Sequence, residues 1–154
     1  IFKKYYNNIS SGDDMVNIKY NSNLNEGSFS EIISSSISKD RFVQYTTKGI
    51  HKDDLEFLID GNKIKNFGSQ GQQKSFLVSL KLAQFEYYKE KLGSSPIVLL
   101  DDIFDKLDQD RVRQIVNILE KNEFGQIFIT DTHKERVEKA LKDSSNKEEI
   151  FNIE

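Results

Sequence analysis

The order of apolar and polar residues predicts several short elements in the first half of the chain. Residues 1–8 and 29–38 carry apolar side chains at helical spacing, whereas residues 15–20 alternate as in a strand with one buried face. Residues 42–47 also predict a strand. Loops rich in Asn, Ser and Gly separate these segments.

A β-hairpin is predicted within residues 55–67. Two alternating segments, 55–59 and 63–67, flank the dipeptide Asp60-Gly61. Such a dipeptide between alternating runs is a strong hairpin signal, because a two-residue turn needs positive φ at both central positions.

The second half of the chain predicts helix, strand, helix, strand and helix in succession. A long helix begins near Gly68 and runs to about Lys91, and the apolar run 97–100 is typical of a parallel strand buried on both faces. The later elements are a helix capped by Asp108, a buried strand at 127–129, a helix at about 134–142 and a last short strand at Ile150-Phe151. This alternation predicts an α/β layer around a mostly parallel sheet.

Composition narrows the class of protein. The chain has 154 residues, no cysteine and a net charge of −3. A free-standing DNA-binding module is usually basic, so any DNA contact is expected to be local or to lie in a part not present here. No stretch approaches the roughly 18 apolar residues of a membrane helix, and the lack of cysteine fits a reducing compartment, so we expect a cytoplasmic protein. The first residues lack an initiator Met, which indicates a truncated chain.

Two motifs carry candidate chemistry. Asp101 and Asp102 end an apolar strand, where one carboxylate can serve Mg²⁺ and the next can polarise an attacking water. The alternative is a pair of acids that cap the following turn. Ser69-Gln70-Gly71-Gln72 precedes a helix whose free amides would attract phosphate oxygens, and here the alternative is an ordinary Ser cap with a loop glycine.

The order and spacing of these motifs resemble the second half of the head of an ABC-type ATPase. Residues 68–72 stand where that family has its signature loop, Leu-Ser-Gly-Gly-Gln. Residues 97–101 match its Walker B strand, and Asp105-Lys106-Leu107-Asp108 matches its D-loop, commonly Ser-Ala-Leu-Asp. The resemblance implies the C-terminal part of such a head, an α/β fold with a mostly parallel sheet flanked by helices, after an α+β segment that contains the hairpin.

The resemblance is closer still to the RecF family of ABC-type ATPases. Residues 68–75, 80–84 and 99–108 resemble that family's motifs, and His51-Lys52-Asp53-Asp54-Leu55 resembles its Pro-His-Arg/Lys-Asp-Asp-Leu. The likeness covers nearly the whole chain and is weakest between about residues 12 and 39. It implies that residues 1–48 end a helical arm subdomain and start the return strand, and that residues 49–154 are the C-terminal part of the ATPase head.

The resemblance also assigns roles to residues. Asp101 would bind the metal and Asp102 would be catalytic. Ser69, Gln70, Gly71 and Gln72 would contact a nucleotide held by another subunit, and Asp105 and Asp108 would act in the D-loop. His133 is a candidate switch residue that senses the γ-phosphate, with a solvated histidine at a helix start as the alternative.

Several residues depart from the family pattern. Gln70 replaces the first signature glycine, Asp102 stands where most members have Glu, and Gly49-Ile50-His51 lacks the usual Pro. The switch histidine normally follows the Thr that ends the last strand, but Asp131 follows Thr130 here and His133 comes two residues later. His51 itself either touches DNA or braces its own loop.

One absent motif decides what the chain can do alone. Gly-x-x-x-x-Gly-Lys-Ser/Thr, the P-loop that holds the β- and γ-phosphates, does not occur. We therefore expect ATP and Mg²⁺ to bind the intact protein, a slow ATPase, and expect this fragment alone to bind neither and to have no ATPase activity.

The resemblance implies an ATP-dependent DNA-binding protein of recombinational repair and replication, with a place in the SOS response. It implies an ATP-dependent homodimer on duplex or single-strand junctions of DNA, and partnership with RecR and RecO in gap repair and recombinase loading. Two alternatives remain open: another SMC- or Rad-type ABC ATPase head, and a non-catalytic α/β module that binds a protein.

Overall fold

A computed structural model describes residues 1–10, 12–121, 124–142 and 149–152. The chain divides into two compact units: the first unit comprises Ile1–Asp14 and Gly68–Glu154, and the second unit comprises Met15–Phe67. The division at residues 48 and 49, expected for an arm and a head, stays a prediction about the whole protein.

The first unit contains four helices and a parallel pair of strands within its described residues. In chain order these are α1 (Phe2–Ser10), α4 (Gln70–Leu92), β4 (Ile97–Asp101), α5 (Gln109–Lys121), β5 (Gln126–Thr130) and α6 (Lys134–Leu141). The two strands run parallel, with Ile97 opposite Gln126 and Asp101 opposite Thr130. The predicted helix, strand, helix, strand, helix order of the second half is confirmed.

The core of the first unit lies between its helices and one face of the parallel strands. Val98 and Leu100 of β4 pack with Leu82 of α4 and Ile115 of α5, and all four are buried. Helix α1 packs on α4, where burial and a hydrogen bond to Glu86 raise the pKa of the Tyr5 hydroxyl far above its ordinary value. Tyr5 is therefore neutral at every physiological pH.

The other face of the parallel strands is open within the described residues. Ile97 and Leu99 are 62% and 71% exposed, and Phe128 is 49% exposed. The prediction that β4 is buried on both faces is therefore wrong for this chain. The apolar run was typical of a doubly covered strand, but the described elements cover only the face of Val98 and Leu100.

The second unit is a small antiparallel sheet with a helix. Its elements are β1 (Val16–Asn21), α2 (Phe29–Val43), β2 (Asp54–Ile59), β3 (Asn62–Lys63) and α3 (Ile64–Phe67), with short 3₁₀ turns at Asn23–Glu26 and Ile50–Lys52. Strand β1 pairs with β2, and β2 pairs with β3. Asp60 and Gly61 have φ of 48° and 77° in the turn, so the hairpin signal is confirmed.

Three predicted strands differ from the structure. Residues 42–47 are not a strand, because α2 continues to Val43 and Gln44 ends it in the left-handed conformation at φ 60°. The second hairpin strand stops at Lys63, where the chain turns into α3 and buries Ile64. Ile150 and Phe151 are exposed and form no strand.

Candidate functional site

The two acids of the Walker B-like strand lie at the carboxyl end of the parallel pair. The Thr130 hydroxyl donates a hydrogen bond to the Asp101 carboxylate. The Asp102 N–H donates to the Thr130 carbonyl at 2.9 Å and lies 3.2 Å from the Thr130 hydroxyl oxygen. The end of β5 therefore fixes both acids at the edge where parallel sheets bind ligands.

Asp102 combines an unusual backbone with an unsatisfied carboxylate oxygen. Its φ of 49° lies in the left-handed region, which Asp enters more readily than most residues. Its Oδ1 atom is buried and has no hydrogen-bond partner among the described residues. Buried carboxylate oxygens are normally paired, so this atom needs a partner that the described residues do not supply.

The acid pair fits a magnesium ion that is also held by a phosphate. Within the described ranges, no group of three or more His, Asp or Glu side chains is arranged to bind a metal. Mg²⁺ usually takes one or two carboxylates, with waters and substrate phosphates as its other ligands. Asp101 can supply one such carboxylate, and Asp102 follows it directly in the chain.

The signature-like loop caps helix α4. The Ser69 Oγ accepts a hydrogen bond from the Gln72 N–H at 3.2 Å, and the Gln72 Oε1 accepts one from the Ser69 N–H at 2.9 Å. This capping box leaves the Ser69 O–H free to donate, and Gln70 and Gly71 follow as the first helical residues. The cap that competed with the phosphate-binding interpretation is thus present, and it is compatible with a phosphate nearby.

The first turn of α4 is held by Asp14. The Gln72 Nε2 donates to the Asp14 Oδ2 at 3.1 Å, and the Tyr6 hydroxyl donates to the same oxygen at 2.8 Å. Asp14 therefore ties the first turn of α4 to α1. No pattern in the sequence indicates this role of Asp14.

Gly71 is packed against the first turn of α5. A Cβ atom at Gly71 would lie 2.4 Å from the Arg111 Nη1 and 3.5 Å from the Lys106 carbonyl oxygen. The Arg111 Nη1 also lies 3.3 Å from the Asp108 Oδ2, and the Arg111 N–H donates to the Asp108 Oδ1 at 2.9 Å. The predicted cap by Asp108 is confirmed, and Arg111 joins the signature-like loop to the D-loop-like segment.

Arg136 and Asp131 form a second link that sequence reasoning missed. The Asp131 side chain is 0% exposed, and its Oδ2 lies 3.4 Å from the Arg136 Nη1. The same Nη1 atom lies 3.8 Å from the Asp105 Oδ1. Arg136 therefore bridges the D-loop-like segment and the residue after β5. A basic residue five positions after an acid at a strand end was too weak a signal to single it out.

His133 lies beside this ion-pair cluster. Its N–H donates to the Asp131 Oδ1 at 2.8 Å, and its Nδ1 lies 2.9 Å from the Thr132 Oγ1 and 3.4 Å from the Arg136 Nη2. The side chain is 65% exposed, and it makes no capping hydrogen bond to α6. His133 thus lies beside the end of β5, and its switch role stays a prediction.

The structure does not join every predicted site residue into one cluster. Asp101 and Asp102 meet at Thr130, Gly71 and Asp108 meet at Arg111, and Asp105 and His133 meet at Arg136. Within the described part of the chain, no hydrogen bond or ion pair joins Ser69 or Gln70 to the acid pair. In the second unit, the His51 Nε2 lies 3.1 Å from the Thr46 carbonyl oxygen, which favours a bracing role for His51.

Curated proteins resemble this chain along almost its whole length. It is 50% identical over 153 residues to the DNA replication and repair protein RecF of Flavobacterium johnsoniae, a match that covers 99% of the chain and 43% of that protein. The RecF proteins of Phocaeicola vulgatus and Bacteroides thetaiotaomicron are 45% and 42% identical over 154 residues. The chain matches the C-terminal part of RecF proteins. The resemblance inferred from the motifs is therefore confirmed, and the chain spans about two fifths of the length of these relatives.

Solved structures of RecF give the same result for the fold. A solved structure of the recombination mediator protein RecF with ATP, from the RecFOR pathway, matches 86% of this chain with a TM-score of 0.66 and 26% identity. A second RecF structure, named with ATPrS, matches 86% of the chain with a TM-score of 0.64. The match covers 37% and 38% of those chains, and it confirms the expected fold of an ATPase head fragment.

No protein-family model matches the chain. None of the helices in the described residues is long and apolar enough to cross a membrane.

Proposed function

We propose that this chain is the part of a RecF-type, ATP-dependent DNA repair and replication protein that carries the signature loop, the Walker B acids and the D-loop. The observation that carries the proposal is the state of Asp102. Asp102 has a buried carboxylate oxygen without a described partner, and its left-handed backbone is held by the neighbouring parallel strand. Such an oxygen is suited to bind a ligand, whereas a residue that only caps a turn would normally have its buried oxygen paired.

The proposed roles of Asp101 and Asp102 follow from the hydrogen bonds that each carboxylate makes or lacks. Asp101 would hold Mg²⁺, which when bound neutralises developing charge on the phosphate oxygens. The Thr130 hydroxyl orients Asp101 for this by donating to its carboxylate. Asp102 would orient the attacking water through its unpaired Oδ1 and accept the proton of that water. As Asp102 is shorter than the Glu common in the family, the water must come closer to the backbone.

The proposed role of the signature-like loop is to contact the nucleotide of a second subunit. Ser69 would donate its O–H to a γ-phosphate oxygen, and the free amides of the first turn of α4 would add to the attraction. Gln72, held by Asp14, keeps that turn in place. Gly71 has no side chain, which leaves room for the Arg111 guanidinium against the first turn of α4.

The assembly that fits these roles is an ATP-dependent homodimer. One subunit would supply the P-loop and the acids of a site and the other would supply Ser69, so that the two motifs of one chain serve different nucleotides. The lack of any described contact between Ser69 and the acid pair is what such a sandwich requires. DNA at duplex or single-strand junctions, and RecR and RecO in recombinase loading, are the partners that we propose from the likeness to RecF.

Substitution of Asp102 in the intact protein tests the proposal. Asp102→Asn should slow ATP hydrolysis by about 10²-fold, the usual scale for loss of a general base, while ATP binding is retained. Asp110→Asn is the matched control, because Asp110 is an exposed acid on α5 whose only described ion pair is with Arg113. Equal hydrolysis by Asp102→Asn and Asp110→Asn would refute the catalytic assignment and favour a protein-binding module.

A further inference from the structure

A short turn connects the acid pair to the D-loop-like segment. The Asp105 N–H donates to the Asp102 carbonyl oxygen at 3.3 Å, and the side chains of Ile103 and Phe104 within the turn are buried. Lys106 has a φ of 60°, in the left-handed region that a residue other than glycine enters only at a cost. The turn is therefore anchored in the core, and a displacement of its far end is passed on to Asp102.

Arg111 holds the far end of this turn. Its backbone N–H donates to the Asp108 Oδ1 at 2.9 Å, and its Nη1 lies 3.3 Å from the Asp108 Oδ2. The Asp108 side chain is 57% exposed, and ion pairs with an exposed partner contribute little to the free energy of unfolding. The pair is therefore better suited to fix the position of Asp108 than to stabilise the fold.

The same guanidinium lies against the signature-like loop. A Cβ atom at Gly71 would be 2.4 Å from the Arg111 Nη1 and 3.5 Å from the Lys106 carbonyl oxygen. The Arg111 side chain is 22% exposed, and its Nε is buried without a hydrogen-bond partner among the described residues. Buried donors are normally paired. Arg111 is thus held between the two motifs although the described residues leave one of its donors unpaired, which indicates a role in their placement.

The contacts of Arg111 form a continuous route between the two motifs. Ser69 caps the turn that contains Gly71, and Asp102 begins the turn that ends at Asp108. Within the described residues, no hydrogen bond or ion pair joins Ser69 directly to Asp102. Packed side chains and ion pairs in contact with one another can carry energetic coupling between separate sites. Arg111 supplies such a connection, because it contacts both turns.

We propose that Arg111 is a positioning residue that couples the signature-like loop to the acid pair. The inference rests on the proposed function, in which Ser69 and Asp102 of one chain serve different nucleotides. When a nucleotide draws the first turn of α4 into the dimer interface, Gly71 presses on the Arg111 guanidinium, which shifts Asp108 and the turn before it. The orientation of Asp102 toward its attacking water then depends on whether the other site is closed. The contact is mutual, so Arg111 also holds the first turn of α4 in place for the partner's nucleotide.

Mixed dimers of the intact protein test this proposal. One subunit carries Asp102→Asn and is present in large excess, so that the other subunit is the one that hydrolyses ATP. Arg111→Ala is placed either in the hydrolysing subunit, where it acts on Asp102, or in the Asp102→Asn subunit, where it acts on the Ser69 that meets the hydrolysed nucleotide. Each placement should lower the turnover rate at saturating ATP by about tenfold, within the range for misplaced reacting groups. The rate of Asp102→Asn alone is subtracted.

Two further variants separate positioning from a loss of stability. Arg113→Ala is the matched control, because Arg113 lies on the same helix and pairs with Asp110 but is 66% exposed. It should leave the turnover rate unchanged in both placements. Arg111→Gln keeps most of the side chain and is used where Arg111→Ala lowers the melting temperature. It should give the same loss of rate, because its side chain ends short of the position of the Nη1 atom against Gly71.

The placement of the effect decides the outcome. A loss of rate in only one of the two placements would overturn the proposal, because Arg111 would then act on one motif without coupling them. An unchanged rate in both placements, or an equal loss in Arg113→Ala, would overturn it as well. A failed proposed function gives a different result, since Asp102→Asn alone would then hydrolyse ATP at the wild-type rate or no ATP-dependent dimer would form.

Discussion

At the scale of single residues, the candidate site is held by side chains outside the signature loop, the Walker B strand and the D-loop. Thr130 fixes the acid pair, Asp14 fixes Gln72, and Arg111 lies against Gly71. Each support comes from a residue distant in sequence from the motif that it supports. The orientation of the motif residues therefore depends on contacts that only the folded chain shows.

The close approach of Arg111 to Gly71 predicts that Gly71→Ala lowers stability when Arg111 is present but not when Arg111 is replaced by Ala. Gly71→Ala alone should push Arg111 away from Asp108 and destabilise the protein by about 1 kcal/mol. In an Arg111→Ala background the same change should be neutral, or stabilise by up to about 1 kcal/mol, because Ala has the higher helix propensity. Denaturant unfolding of the four proteins of this cycle measures the coupling, and an equal effect in both backgrounds would contradict it.

Asp40 predicts a pH dependence in the second unit. Hydrogen bonds from Thr47 hold the pKa of the Asp40 carboxyl below its ordinary value of about 4. A lowered folded-state pKa gives stability that is present above the unfolded-state pKa and lost as the pH falls through the folded-state pKa. The difference in melting temperature between the wild type and Asp40→Asn should therefore be largest near neutral pH and shrink below about pH 4. A difference that is constant from pH 7 to pH 3 would exclude Asp40 as the cause.

At the scale of elements, the sequence predicted what depends on local pattern and missed what depends on context. The second-half helices and strands and the Asp60-Gly61 turn follow from periodicity and turn chemistry, and the structure has them. Residues 42–47 have strand-like composition, but the bonds of Thr47 to Asp40 draw them back onto α2. Burial of Ile64 likewise ends the hairpin early. Contacts between residues distant along the chain determine the structure of both segments, and local sequence patterns do not predict such contacts.

The packing of α6 against the D-loop-like segment depends on one ion-pair bridge. Arg136→Ala would leave the buried Asp131 carboxylate without its cation and should destabilise the protein by about 1–3 kcal/mol. Arg113→Ala is the control, because the Arg113 and Asp110 side chains are 66% and 82% exposed and such pairs contribute about 0–1 kcal/mol. Thermal or denaturant unfolding compares the two, and equal losses would show that Arg136 is no more than a surface residue.

At the scale of the whole molecule, the described residues leave two features incomplete. The exposed face of Ile97, Leu99 and Phe128 has no covering element among them, and Asp102 has no partner for its Oδ1. The chain spans about two fifths of the length of its RecF relatives.

Ser69→Arg in the intact protein distinguishes a nucleotide sandwich from a simple helix cap. A bulky cation at Ser69 would block a closed interface around the γ-phosphate of the other subunit, while the P-loop of its own subunit is untouched. The mutant should therefore bind ATP normally but neither dimerise nor hydrolyse. Loss of the cap alone would cost about 1 kcal/mol of stability and leave assembly unchanged.

Ser28→Arg is the matched control for this substitution. Ser28 caps α2 with the same capping box, in which its Oγ accepts from the Glu31 N–H, but it lies in the second unit. Its replacement should therefore cost similar stability without affecting dimerisation. Sedimentation with and without Mg-ATP measures assembly, and nucleotide fluorescence measures binding. If Ser69→Arg binds ATP and dimerises as Ser28→Arg does, Ser69 caps α4 and takes no part in a nucleotide site, because the two variants then share only the loss of a cap.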